Sequence, residues 1–345
     1  MPAKLFWKIA RYPMRQHHPE KTDQLRSGRL YVGAAIALLW LWILLMTYNQ
    51  QWPWICRHWP ISLTMTLGSF IAGATPQGGA AVAFPVFTKV LHITGENSCT
   101  FGFMIQSVGM SMAALYIWSN GITILPRVVF WAVVGGIFGV TLGTFWIVLP
   151  NPYPRVLFSL AAAIFGLTLL LLRRQLHAKD YPSAPPAKTA QPFFVTGAAI
   201  IGGIFAAQTG SGVDLAVFIV LTLAFGINEK IATPTSVVIM GLVSLYGFSL
   251  QALTGKIPTM VWQWWWVAFP VVIFGAPFGA WFASRVQREW LLGLILFLIF
   301  LELVSTLYLI SFPPRVWQVS VASVIACLAA IALLLAYRFR CVSAR

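Results

Sequence analysis

Gly68-Ser69-Phe70-Ile71-Ala72-Gly73-Ala74-Thr75-Pro76-Gln77-Gly78-Gly79 breaks an apolar run in the first half of the chain, and Gly202-Gly203-Ile204-Phe205-Ala206-Ala207-Gln208-Thr209-Gly210-Ser211-Gly212 breaks another in the second. A bilayer would normally demand an unbroken helix in such a run. Gly and Pro there release backbone N–H and C=O groups that lipid cannot satisfy. A matched pair of interrupted apolar segments, one in each half, points to the substrate site of a transporter. The alternative is a pair of kinks tolerated because neighbouring helices satisfy them.

Composition supports a membrane setting. Of the 345 residues 59% are hydrophobic and only 9% charged, with mean hydropathy +0.80, whereas soluble domains carry about 25% charged residues. The expected fold class is an all-α polytopic membrane protein. Its net charge of +15 sits in an N-terminal arm and in loops between spans. That is the pattern of topology signals and of contact with anionic headgroups, so no nucleic acid partner is expected. Cys56, Cys99, Cys327 and Cys341 have no metal spacing, and the five His form no cluster. No metal, cofactor or catalytic constellation is expected, and the chain does not read as an enzyme. The first long apolar run begins near Leu30 and many follow, which argues against a cleavable signal peptide.

Taken in order, residues 1–29 form a basic arm with Lys4, Lys8, Arg11, Arg15, Lys21, Arg26 and Arg29 among Phe6, Trp7 and Tyr12. Such an arm is either a short interfacial helix or a basic tail. An extra span covers 30–48. Repeat A, 61–172, holds the interrupted segment 61–91 and spans near 98–118, 128–149 and 155–172. A polar connector, 173–192, carries Arg173, Arg174, Lys179 and Lys188. Repeat B, 193–310, holds the interrupted segment 193–227 and spans near 231–253, 262–284 and 290–310. A last span, 316–337, precedes Arg338, Arg340 and Arg345. Trp262 and Trp264-Trp265-Trp266 read as an interfacial belt.

The halves resemble each other beyond the breaks. An offset of 134 aligns Gly68 with Gly202, Gly78 with Gly212 and Phe84 with Phe218; an offset of 136 aligns Gly139 and Gly143 with Gly275 and Gly279. Each glycine pair is a small-xxx-small spacing that lets two helices approach closely. An internal duplication follows.

Base counting orients the halves. If both interrupted segments re-enter, entering and leaving on one face, 18 bases lie inside and five outside (Arg57, Lys89, Arg155, Lys256 and Arg315). If both cross completely, the count becomes 15 against 8. The re-entrant arrangement fits the positive-inside rule better and makes the repeats inverted, with both termini cytoplasmic.

At the first break, Thr75-Pro76 reads as an N-cap with Pro at the first helical position. That leaves the N–H groups of Gln77, Gly78 and Gly79 as donors. Thr209 and Ser211, flanking Gly210 and Gly212, read likewise. Two facing half-helix N-termini make an anion site without Lys or Arg, and the hydroxyls of Thr75, Thr209 and Ser211 and the amides of Gln77 and Gln208 can add donors. Asp214, two residues past Gly212, either orients the break or takes a coupling proton; the first half has Ala80 there. Glu302 is the other acid within an apolar run, proton-linked or a satisfied bundle-interior group. Gln106, Ser107 and Ser111 on one span and Thr233, Thr235, Ser236 and Ser244 on its counterpart line the expected path. Ser and Thr in such helices also bond their own backbone.

The Gly-rich break, the half-helix, the short loop and the Ala232-Thr233-Pro234-Thr235-Ser236 opening of the next span resemble the TauE/SafE family of sulfite exporters and related anion carriers, as do the duplicated four-segment halves, over about 61–310. The family's break is typically G-[IL]-G-G-G. Here it reads Pro76-Gln77-Gly78-Gly79 and Thr209-Gly210-Ser211-Gly212, and Thr235-Ser236 is replaced by Gly102-Phe103 in the first half. The resemblance implies a secondary transporter moving sulfur-containing or carboxylate anions across the bacterial inner membrane, often exporting sulfite or organosulfonates. The breaks by themselves imply only a small anion as partner, together with the bilayer; an anion channel and a carrier for another small anion stay open, as does a homo-oligomer.

Overall fold

The computed structural model describes residues 21–79, 83, 86–87, 91–150, 152–177, 190–309 and 314–343. The expectations for residues 1–20, Ala80, Phe84, Lys89 and most of the connector lie outside the described residues. The helices are α1 (Lys21–Tyr48), α2 (Pro53–Ala74), α3 (Gly95–Ser119), α4 (Pro126–Phe145), α5 (Tyr153–His177), α6 (Ala190–Thr209), α7 (Val213–Ile219), α8 (Glu229–Leu253), α9 (Thr259–Arg285), α10 (Arg288–Leu309) and α11 (Pro314–Ser343), with a π-helical turn at Val220–Ala224 after α7. Among the described residues, nine helices are long and apolar enough to cross a membrane. Large apolar side chains such as Trp40, Leu44, Phe138 and Phe300 stay exposed, as they must on a surface solvated by lipid.

Local chemistry places the helix ends, and it recurs between the halves. Thr94 caps α3 by accepting from the Asn97 N–H at 3.5 Å, and Asn228 caps α8 by accepting from the Lys230 N–H at 2.9 Å. At the far ends, the Asn120 and Thr254 N–H groups bond Tyr116 and Leu250 carbonyls at 3.0 and 3.1 Å. Gly121 and Gly255 follow at φ 64° and 66°, a left-handed stop that glycine takes without a Cβ penalty. In α2 the helix is broken at His58 (φ −116°, ψ 21°), two residues before Pro60. A straight apolar segment therefore starts at residue 61, as the sequence indicates.

The glycine pairs do what their spacing suggests. Gly135, Gly139 and Gly143 of α4 lie against Thr196, Ile200 and Ile204 of α6, where a Cβ on Gly139 would fall 2.2 Å from the Ile200 carbonyl oxygen. Gly275 and Gly279 of α9 lie against Ser69 and Phe70 of α2, and a Cβ on Gly279 would fall 2.0 Å from the Phe70 oxygen. Residue numbers rise together in both contacts, so each pair is parallel. Each half of the chain thus lays one helix, α4 or α9, along the helix that opens the break in the other half, α6 or α2.

The remaining cross-repeat contacts run the other way. Gly247 of α8 meets Phe103 of α3, Gly241 meets Met110, and between them the Ser244 hydroxyl faces the Gln106 oxygen at 3.5 Å. In α5 and α10, Ser159 bonds Glu302 and Thr306 while Gly166 packs on Leu296 and Ile299. Both pairs are antiparallel, and each joins a helix of the first half to one of the second.

Two expectations need correction. Trp264 is 4% exposed and sits in the core, and the Trp265 indole donates to the Met104 carbonyl at 2.9 Å. This part of the Trp cluster bonds α9 to α3 rather than lying in a belt. Arg155, counted among the outside bases, opens the span at 155 as expected, but its side chain is 12% exposed and leans toward the Glu302 carboxylate at 3.9 Å, so it is not a simple topology charge.

Candidate functional site

Both breaks reverse the chain. Gly212 and Ala216 pack back on Gly202, and Gly79 packs back on Gly68. The tips are Thr75–Gly79 and Thr209–Gly212, with Gly78, Gly210 and Gly212 at φ 65°, 84° and 149°. Only glycine takes these angles without strain, so the glycines are there to turn the chain.

The capping scheme differs from the one the sequence suggests. Thr75 closes α2: its N–H and its hydroxyl both bond the Ile71 carbonyl, at 2.9 and 3.0 Å. The next helical turn opens at Gly79, whose carbonyl accepts from the Ala83 N–H at 2.9 Å; Gly212 does the same for Ala216 at 3.0 Å. A glycine stands at each N-terminus, so Thr75 is not the N-cap and Pro76 is not the first helical residue. Thr209 also turns inward, its single hydroxyl proton shared between the Phe205 and Ser211 carbonyl oxygens at 2.9 and 2.7 Å.

The tips touch. A Cβ on Gly78 would sit 3.4 Å from both Asp214 Oδ2 and Ser211 Cβ, and 3.7 Å from Gln106 Nε2. Gln106 donates to the Gly210 carbonyl at 3.0 Å, tying α3 to the second tip. Gly102 lets that tip come within van der Waals contact, its Cβ position lying 3.3 Å from Gly210 Cα. This is why the first half carries Gly102 where the second half carries the Thr235-Ser236 pair.

Asp214 serves the second tip. Its Oδ1 accepts from the Gly212 and Leu215 N–H groups at 3.1 and 3.0 Å. Its Oδ2 is buried without a partner and faces Gly78. Both heteroatoms of the Gln77 amide and the Ser211 hydroxyl are buried and unpartnered too. No acceptor among the described residues meets the backbone N–H groups of Gln77, Gly78 or Ser211. Buried polar groups are nearly always hydrogen-bonded, so a cluster of orphans at two touching tips is unusual for a finished core.

Beside the tips lies a cavity of about 30 Å³, room for roughly two water molecules. Ser69, Gly79, Ser98, Gln106, Thr209 and Gly210 contribute to its wall. Ser69 and Ser98 were not singled out from the sequence. The Ser69 hydroxyl is buried and unpartnered, and its place inside the first glycine stretch was the available signal.

Other expected residues lie elsewhere. Gln208 accepts from the Leu149 N–H at 2.7 Å and donates to Ile147 and Ile204 carbonyls at 3.0 Å each, holding the α4–α5 loop. Thr235 donates to the Ile231 carbonyl at 2.7 Å and accepts from the Leu125 N–H at 3.2 Å, so it braces the start of α4. Ser236 and Ser107 bond their own helices, to Thr233 and Met104 carbonyls. Glu302 bonds Ser159 at 3.0 Å between α5 and α10. Replacing Gln208 with Ala removes three bonds from the loop and should lower stability by about 1–3 kcal/mol while leaving anion affinity unchanged; thermal unfolding with and without sulfite measures both.

An all-helical body with apolar faces turned outward and two reversed loops meeting inside it defines a multi-pass membrane protein. The family model for the sulfite exporter TauE/SafE family matches residues 61–309. The chain belongs to that family, one of membrane transporters, and the match begins where α2 straightens after Pro60 and ends with α10. No curated protein and no solved structure matches the chain.

Proposed function

We propose that the protein is a secondary carrier that moves a small sulfur-containing anion, sulfite or an organosulfonate, across the bacterial inner membrane, in the direction of export. The observation that carries the reading is that each of the two touching tips holds a buried, unpartnered donor, the Gln77 amide on the first and the Ser211 hydroxyl on the second. Donors left bare in a low-dielectric interior cost free energy, and an oxyanion that accepts from them removes that cost. Gly79 and Gly212 open helical turns beside them, which adds the partial positive charge of helix N-termini.

The antiparallel course of α3 against α8, and of α5 against α10, supports inverted repeats. The parallel pairs α4–α6 and α2–α9 agree with it only if both hairpins re-enter on their own face. The base count then favours both termini in the cytoplasm. Export of an anion is downhill in an inside-negative cell, and rocking of one repeat bundle against the other would expose the site alternately.

Purified protein in proteoliposomes should give saturable, counterflow-competent sulfite flux. A high unitary conductance without counterflow would favour a channel with the same tips in its wall. Gly78→Leu, which would crowd Asp214 and Ser211 because a Cβ there already lies 3.4 Å from each, should abolish sulfite binding; retained binding would move the site elsewhere.

A further inference from the structure

The first turns of α8 and α10 are joined by an ion pair, Arg288 Nε to Glu229 Oε2 at 2.5 Å, with the Glu229 side chain 4% and the Arg288 side chain 19% exposed. Residues 133 positions earlier hold the same two chemistries in the other repeat: Glu96 in the first turn of α3 and Arg155 in the first turn of α5. There the pair is apart. Glu96 is exposed, and among the described residues no base lies within 4 Å of it. Arg155 leans instead toward Glu302, at 3.9 Å, whose Oε1 also accepts from Ser159 at 3.0 Å. Because α3 and α8 run antiparallel, the two Glu-Arg positions lie at opposite ends of the bundle. The cavity beside the tips reaches Ser98, two residues from Glu96.

We propose that Glu229–Arg288 and Glu96–Arg155 are the two halves of one alternating gate, in which the pair at one end closes as the pair at the other opens. The proposal rests on the carrier reading above. In this conformation the Glu229–Arg288 end is shut and the cavity belongs to the Glu96 end. When the repeats rock, Arg288 releases Glu229, Arg155 leaves Glu302 for Glu96, and Ser98 is covered. Arg288 already meets water, whereas the Glu229 side chain is 4% exposed, so the movement that frees Arg288 must also bring water to the Glu229 carboxylate. These residues are positioning residues, since they act through the tips and touch no substrate.

The test uses full-length protein in proteoliposomes, with the four native Cys replaced by Ala and a reporter Ser98→Cys, labelled by a membrane-impermeant maleimide without any anion present. Glu229→Gln and Arg288→Gln should each slow labelling at least tenfold, because the far end falls open and the cavity closes. The exchange Glu229→Arg/Arg288→Glu should restore the rate. A labelling rate unchanged in both single variants overturns the gate, as does an exchange variant that labels like the singles. Absence of sulfite flux in a protein that passes this test would count against the carrier reading and leave the gate standing.

Discussion

Gly139→Val should prevent recovery of folded protein. The new side chain would meet the Ile200 carbonyl at 2.2 Å and Gly203 Cα at 2.9 Å, both of them backbone atoms with no rotamer to yield. The contact is also the one that lays α4 along α6, so relief would require the two repeats to separate. Overpacking usually costs about 1–3 kcal/mol, and more where backbone blocks relaxation. With both contacts made to backbone, the cost should exceed that range and reach about 5 kcal/mol, the lower end of ordinary marginal stability. Gly197→Val, on the partner helix α6 with nothing within 4 Å of its Cβ position, is the control and should express as well as the parent. Size-exclusion profiles and thermal unfolding in detergent compare them. A monodisperse Gly139→Val protein with unaltered unfolding temperature would mean that α4 and α6 do not approach as described.

Asp214 separates two roles that its position in an apolar run left open. Asp214→Ala removes the acceptor for the Gly212 and Leu215 N–H groups and leaves both donors bare beside a glycine at φ 149°. Two lost bonds to a charged acceptor should cost about 3 kcal/mol or more, read as a fall in unfolding temperature and as loss of sulfite binding. Asp214→Asn keeps an acceptor oxygen at the same place and should keep most of the stability. If the carboxyl also carries a coupling proton, the Asn variant will fold and bind yet lose pH-gradient-driven flux. Equal stability of the Ala and Asn variants would contradict the capping role.

Much of the fold was legible because lipid leaves a chain few options. Gly and Pro within apolar runs announced the two reversals, and the 136-residue echo of Gly139-Gly143 in Gly275-Gly279 announced the two close helix pairs that exchange between repeats. Helix ends lay within a few residues of their polar and Pro signals. The site was legible in outline only. Gly78, Ser211, Gly212, Gln106 and Asp214 do come together, with Gln77 buried next to Gly78 in the first tip, whereas Gln208 and Thr235 face other loops. The difference is one of helix phase: adjacent residues in a helix point about 100° apart, so Gln208 and Gly210 can belong to the same glycine stretch and opposite surroundings. Thr75 was misplaced by a single turn, since Thr-Pro before glycines fits either the end of one helix or the start of the next. Partners far apart in sequence, such as Ser159 with Glu302 and Glu229 with Arg288, carry no local signal at all.

The central claim is that bare donors at the touching tips hold the anion. Calorimetric titration of sulfite, under anaerobic conditions, into the parent and a Gln77→Ala/Ser211→Ala variant addresses it directly. Both replacements remove a buried orphan, so the variant should fold at least as well. Its sulfite affinity should fall by roughly a hundredfold or more, the effect of two charge-assisted hydrogen bonds at about 1.5–3 kcal/mol each. Equal affinity in the two proteins would place the anion somewhere other than between the hairpins.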